Sequence, residues 1–165
     1  MKAGDTIFVD GGAGGVGSIT VQMAVVRGVT VIASASEGNQ DYLREIGATP
    51  VLYGDGVADR VRAAAGRPVD AVIDVAGKTP IEDLISLTAE PLRVVSIANF
   101  SAAQAGARVS GGADSQPMQA MAELAELLAQ NKLVIKVQTF PFERAAEAYR
   151  ISQAGHVRGK LVLVP

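Results

Sequence analysis

Five glycines fall between Gly11 and Gly17 in the stretch V-D-G-G-A-G-G-V-G-S, directly after the apolar run Thr6-Ile7-Phe8-Val9. Within it, Gly12-Ala13-Gly14-Gly15-Val16-Gly17 satisfies G-x-G-x-x-G, the spacing with which a strand-to-helix turn admits a dinucleotide pyrophosphate. On this reading Gly12 makes the tight turn, Gly14 lets the pyrophosphate approach the backbone, and Gly17 lets the following helix pack close to the strand. The free N–H groups of Gly15 and Val16, at the positive end of that helix, would then hold the phosphates.

Two other glycine-rich sites fail on their chemistry. A nucleoside triphosphate loop needs Lys-Ser or Lys-Thr after its last glycine, and Gly17 is followed directly by Ser18. The positions of Gly11, Gly15 and Gly17 also suit the short-chain dehydrogenase turn. That family works through a Tyr-x-x-x-Lys pair, whereas Tyr42, Tyr53 and Tyr149 are followed at the fourth place by Ile46, Val57 and Gln153.

The turn must be held by a strand and a helix, and the rest of the chain supplies the pattern. Short apolar runs alternate with helical ones, as in a parallel sheet built from βαβ units. Strands are expected at Thr6 to Val9, Thr30 to Ser34, Val51 to Tyr53, Ala71 to Val75 and Arg93 to Ala98, with a weaker one at Ala107 to Ser110. Helices are expected at Val16 to Arg27, Gln40 to Ile46, Val57 to Ala65, Pro80 to Thr88 and Met118 to Asn131. In the last, Met118, Met121, Leu124, Ala125 and Leu128 read as one buried stripe. The result is an α/β fold, a Rossmann doubly wound sheet of order 3-2-1-4-5-6. After Asn131 the alternation breaks into a strand-like Leu133 to Phe140, a helix Phe142 to Ala154 and a strand Lys160 to Val164. We therefore divide the chain into a dinucleotide-binding domain, 1–132, and a C-terminal extension, 133–165.

Composition narrows the partners. With 165 residues, 48% of them hydrophobic, the chain suffices for one well-buried core. Fifteen basic against 17 acidic residues give a net charge of -2, which argues against a nucleic-acid surface. There is no cysteine and a single histidine, so neither a disulfide framework nor a thiolate zinc site is expected, and a reducing cytoplasm suits the chain. No run of 18 apolar residues suggests a membrane span.

The stretches KAGDTIFVDGGAGGVGS, VIASASEGNQDYLREIGATPVLYGD, VDAVIDVAG, RVVSIANF and GHVRGKLVLVP together resemble the coenzyme-binding half of the medium-chain dehydrogenase/reductase superfamily, the alcohol dehydrogenase and quinone oxidoreductase group. The likeness is greatest to its zinc-independent, quinone-oxidoreductase-like branch. It implies an oxidoreductase that transfers hydride between a nicotinamide cofactor and a quinone, enone or carbonyl substrate. It further implies a GroES-like catalytic domain preceding Lys2, so that this chain is expected to be the coenzyme half of a longer protein and inactive alone. Dimerisation through the Ala107 to Ser110 edge is a further expectation. A non-catalytic dinucleotide-binding or sensing module is the alternative.

Cofactor choice is read at the end of the second strand, where an acid binds the ribose hydroxyls in NAD enzymes. In the register of the resemblance this position falls near Ala35 or Ser36, neither acidic. Ser36 and Asn39, with the Tyr53 hydroxyl, could donate to a 2′-phosphate, which favours NADP(H). Glu37, about 20 residues beyond Gly17, could take the NAD(H) role instead. Val75 and Ala76 after the fourth strand, and Ile97, Ala98 and Asn99 after the fifth, are expected to flank the ribose and nicotinamide. His156 reads as a surface or turn residue, Arg158 and Lys160 as solvated charges, and Asp74 as a strand-end acid without a catalytic role.

Overall fold

The computed structural model describes residues 1–112 and 117–165. Strands β1 (Thr6–Asp10), β2 (Thr30–Ala35), β3 (Thr49–Leu52), β4 (Ala71–Asp74), β5 (Val94–Ser96) and β6 (Arg108–Val109) form one parallel sheet in the order β3-β2-β1-β4-β5-β6. This is the doubly wound topology expected from the sequence. Its order reverses between β1 and β4, which pair from Ile7↔Ala71 to Asp10↔Asp74. The crevice at a reversal point is where such sheets bind ligands.

The central strands are mostly apolar because both faces are covered, with the buried polar residues Asp10, Ser34, Asp74 and Ser96 kept to their carboxyl ends. Ile7, Val9, Val31 and Ala33 pack beneath helices α1 (Gly17–Val26) and α2 (Gln40–Glu45), together with Val21, Ala24, Tyr42 and Leu43. Phe8, Ile32, Val72 and Val94 point the other way. They meet Val57 and Val61 of α3 (Val57–Ala65) and Leu84 of α4 (Ile81–Ile85). Adjacent residues of one strand thus feed two cores, the consequence of side chains alternating across the pleat.

Helix α5 (Pro117–Ala129) forms near the expected bounds, but of its expected stripe only Leu124 is even half-buried. Met118 and Met121 are 83% and 62% exposed, and Leu128 is exposed as well. The helix is seated through buried Leu127 and half-buried Leu124, and by an ion pair between Glu123 and Arg27, the residue that caps α1, at 2.7 Å. Three-to-four spacing allowed either side to turn inward, and the contact with α1 selects the Leu124–Leu127 side.

Strand pairing in the C-terminal part starts later than Leu133. Parallel strands β7 (Val137–Pro141) and β8 (Lys160–Val164) make a separate two-stranded sheet, joined by α6 (Ala145–Ala154). Val134 is held by a side chain instead, while the Lys136 carbonyl accepts from the Lys160 N–H at 2.9 Å. Buried Gln22 of α1 donates to the Val134 carbonyl at 2.9 Å and accepts from the Val134 N–H at 2.8 Å. An amide side chain therefore takes the place of a neighbouring strand. Among the described residues no helix is long and apolar enough to cross a membrane.

Gln22→Ala leaves both backbone groups of Val134 without this partner. It should lower stability by about 1–3 kcal/mol and speed hydrogen exchange at residues 133–136 ahead of the main sheet. Unchanged exchange there would show that Gln22 does not hold the segment.

Candidate functional site

The glycine-rich turn joins β1 to α1, and among its glycines Gly12 works differently from the expectation. The left-handed residue is Gly11 (φ 91°), a conformation that suits glycine. Gly12 is a packing position: a Cβ there would lie 2.6 Å from the Ala33 Cβ and 3.1 Å from Leu43 Cδ2. Gly17 admits close approach of helix to turn, since a Cβ would run into the carbonyl of Gly11 and lie 2.8 Å from the Gly12 Cα. Gly14 is different again. A Cβ there would meet nothing nearer than the Gly11 carbonyl at 3.7 Å, and the residue lines the main pocket.

That pocket is a half-open cleft of about 540 Å³ at the carboxyl ends of the strands, within the size range of small-molecule sites. Asp10, Gly11, Ala13 and Gly14 contribute from the first turn, and Ser34, Ala35, Ser36 and Asn39 from the end of β2. Tyr53, Gly54 and Asp55 follow β3; Val75, Ala76, Lys78 and Thr79 follow β4. A wall comes from the loop between α6 and β8, with Gly155, His156 and Val157.

Of the residues singled out in the sequence, Gly14, Ser36, Asn39, Tyr53, Val75 and Ala76 are brought together around this cleft. Gly12, Gly15, Val16, Gly17, Ile97, Ala98 and Asn99 are not among its lining residues. Gly15 lies under the C-terminal segment, where a Cβ would be 2.9 Å from Lys160 Cδ and Cε. Gly14 forms an isolated parallel bridge with Gly159, whose N–H donates to the Ala13 carbonyl at 3.0 Å. Val16 is exposed at the start of α1. Ala98 packs against Gly77, and the N–H groups of Ala98 and Asn99 both donate to the Ser96 hydroxyl. Glu37, the alternative ribose ligand, is exposed and does not line the cleft.

The C-terminal loop supplies contacts that the sequence left unassigned. His156 is exposed, in a left-handed turn (φ 65°), yet its Nδ1 lies 3.2 Å from the Tyr53 hydroxyl and its ring stacks on the tyrosine at 6.1 Å. Arg158 is not simply solvated: it donates to Asn39 Oδ1 at 3.1 Å and to the Gly38 carbonyl at 2.9 Å, with its guanidinium over Tyr42. Asn39 in turn donates to the His156 carbonyl and to the Ser36 hydroxyl, each at 3.3 Å. Donors from two distant segments therefore cluster beside the end of β2. The flanking Gly155 and Gly159, both at positive φ, were the sequence signal for this sharp return.

Beneath the pocket, the buried carboxyl of Asp10 accepts from the Ser34 hydroxyl at 2.5 Å, and that hydroxyl accepts from the Gly11 N–H at 2.9 Å. Burial pushes the Asp10 carboxyl above its ordinary value; hydroxyls of Ser34 and Thr79 oppose the rise, and nearby Asp74 adds to it. Asp74 accepts from Ala76 and Gly77 N–H groups and the Ser96 hydroxyl, so it organises the turns after β4 and β5. Asp10, Lys78 and Thr79 were not singled out in the sequence, although each sits at or just beyond a strand's carboxyl end.

A parallel sheet reversing at a glycine turn, with an open cleft over it, defines a dinucleotide-type α/β domain. The sequence matches the family model for zinc-binding dehydrogenases over residues 46–163, and the chain belongs to that family, as its resemblance implied. It is 27% identical to the NADPH-dependent alkenal/one oxidoreductase of Arabidopsis thaliana, covering 100% of this chain and 42% of that protein. The quinone oxidoreductase of Coxiella burnetii superposes with a TM-score of 0.82 at 30% identity, over 99% of this chain and 54% of that one. A mycobacterial protein solved in complex with NADPH superposes at 0.83, with 25% identity over 100% of this chain and 58% of that one. The chain spans about half or less of the length of the curated relatives it matches.

The family's description includes zinc, for which the described residues offer no ligand set. Among the described residues no group of three or more His, Cys, Asp or Glu could hold a metal ion, and His156 is engaged with Tyr53.

Gly12→Ala should lower stability by about 1–3 kcal/mol, whereas Gly14→Ala should change it by less than about 0.5 kcal/mol. Denaturant melts of the two variants check this, and equal losses would contradict the division of roles.

Proposed function

We propose that this chain is the NADP(H)-binding part of an oxidoreductase in the quinone-oxidoreductase-like branch, passing hydride to a quinone, enone or carbonyl substrate. The observation that carries the cofactor choice is the donor cluster beside the end of β2: Ser36, Asn39, Tyr53 and His156 line the cleft, and Arg158 is bonded to Asn39 behind them. No acid is among the lining residues that end or follow β2, the nearest lining carboxylate on this side being Asp55 after β3. A 2′-phosphate needs donors and positive charge; an NAD-type ribose site needs a carboxylate. The open face over Gly14 suits a pyrophosphate, and the buried, unpartnered Oδ2 of Asp10 marks a polar floor. When bound, the cofactor supplies the hydride from its nicotinamide; the protein's part is to bind and orient it.

In this reading residues 1–132 hold the dinucleotide. The extension at 133–165 returns towards a GroES-like domain while closing one wall of the cleft. Gly14, Ser36, Asn39, Tyr53, Val75 and Ala76 contact the cofactor directly. Gly12 and Gly17 shape the turn, Gly15 and Val16 present the start of α1, and Ile97, Ala98 and Asn99 lie towards the nicotinamide end. The β6 edge is available to a second copy of the chain, nucleic acid is not a partner, and the cytoplasm is the compartment.

Calorimetric titration of the chain with NADPH and, separately, NADH tests the reading. NADPH should bind more tightly. Tyr53→Phe should weaken NADPH by roughly tenfold while leaving NADH within about twofold, the effect of losing one hydrogen bond to a charged group. Tighter binding of NADH would reverse the assignment, and binding of neither to folded protein would overturn it.

A further inference from the structure

Two buried carboxyl groups end neighbouring strands, Asp10 on β1 and Asp74 on β4, and they are register partners in the sheet. Their surroundings differ. Asp74 receives three hydrogen bonds, two from backbone N–H groups and one from Ser96. Asp10 receives one within hydrogen-bond distance, from Ser34; its other oxygen is buried without such a partner, the nearby Thr79 hydroxyl exerting only a weaker pull towards the ionised form than burial exerts against it. An ionised carboxylate is an acceptor on both oxygens, and leaving one of them bare in a low-dielectric site is unfavourable.

The position of Asp10 matters because of what it supports. The Ser34 hydroxyl that donates to Asp10 also accepts from the Gly11 N–H, and the Ser34 carbonyl accepts from the Gly12 N–H at 2.9 Å. One hydroxyl thus links the buried acid to the left-handed entry of the glycine turn. The same acid lies at the floor of a cleft read as taking a ligand with several negative charges.

Resting on the dinucleotide reading, we propose that Asp10 is a positioning residue which holds the glycine turn as an uncharged acid, so that binding an anionic dinucleotide is coupled to proton uptake at its carboxyl. A carboxylate at the floor would repel the phosphates through a medium that screens charge poorly. A carboxylic acid keeps the contact with Ser34 and removes the repulsion. Burial acts in the same direction before any ligand arrives, by favouring the protonated form. The bound phosphates then raise the affinity for the proton further, and by linkage the proton raises the affinity for the dinucleotide.

The sign follows directly. As pH rises through the range in which free Asp10 loses its proton, dinucleotide affinity falls, because binding must restore that proton. Below that range affinity is independent of this group. The other titratable and charged groups around the floor and walls are Asp74 from β4, Lys78 and Asp83 beyond it, Tyr53 and Asp55 beyond β3, and His156 from the C-terminal loop. Histidine is the residue type that most readily takes up a proton near neutrality, so the test must separate His156 from Asp10.

NADPH is titrated calorimetrically into the chain across pH 5 to 9 in paired buffers of different protonation enthalpy, which yields the number of protons taken up. The wild type should take up a fraction of a proton and lose affinity with rising pH, by up to tenfold per pH unit. His156→Gln should retain uptake attributable to Asp10. Asp10→Asn, which keeps the shape and remains neutral, should lose that uptake and bind at least as tightly as the wild type at high pH. Infrared difference spectra of the wild type should show a protonated-carboxyl band growing on NADPH binding, a readout independent of whether any variant folds. No uptake in the wild type, equal uptake in Asp10→Asn, or absence of the infrared band would overturn the proposal. Failure of NADPH to bind at any pH would overturn the dinucleotide reading itself, and the proposal with it.

Discussion

Helix α1 begins where it does only because Gly17 has no side chain. A Cβ at that position would occupy the space of the Gly11 carbonyl and crowd Gly12. The constraint sets the direction of the first helix, whose N-terminal end is brought against the turn after β1. It also holds the turn flat on the sheet, with Gly12 pressed onto Ala33 and Leu43. The turn then leaves Gly14 facing the crevice where the strand order reverses. Most of what the site offers depends on this contact: an open backbone edge, a helix start, and two strand ends on either side.

The pocket is completed from far along the chain. Gly159 donates to the Ala13 carbonyl, and Lys160 lies over Gly15, so the beginning of β8 is fastened to the glycine turn. The loop before it carries His156 to Tyr53 and Arg158 to Asn39. Gln22, from the helix that the turn launches, fastens Val134 ahead of β7. The C-terminal segment is therefore tied to the glycine turn, to α1 and to the loops after β2 and β3. Any movement of the extension moves the wall of the cleft that Gly155, His156 and Val157 form.

Much of the sheet was legible because burial on both faces leaves a distinctive record. Apolar runs such as Thr6-Ile7-Phe8-Val9 and Val94-Val95 cannot be amphipathic helices, and their order with the intervening helical patterns implies the topology. The glycine turn was legible for a steric reason, although its left-handed residue, Gly11, lies just ahead of the motif and Gly12 is a packing position. The buried face of α5 was legible only in part: Leu124 of the expected stripe is half-buried, but Met118, Met121 and Leu128 are exposed and the fully buried residue is Leu127, outside that stripe. Helical spacing shows that a stripe exists without saying which neighbour it meets. Pairing between His156, Arg158 and the end of β2 was hidden for the same reason, since about 120 residues separate the partners and only the three-dimensional return of the chain joins them.

The central claim is that the cleft over Gly14 holds NADP(H), with its 2′-phosphate at the end of β2. A crystal structure of the chain with NADPH bound tests it most directly. The account predicts the pyrophosphate above Gly14, and 2′-phosphate oxygens within hydrogen-bond distance of Ser36, Asn39 or Tyr53. A dinucleotide seated elsewhere, or an adenine ribose bound by Glu37 with the phosphate turned to solvent, would contradict it.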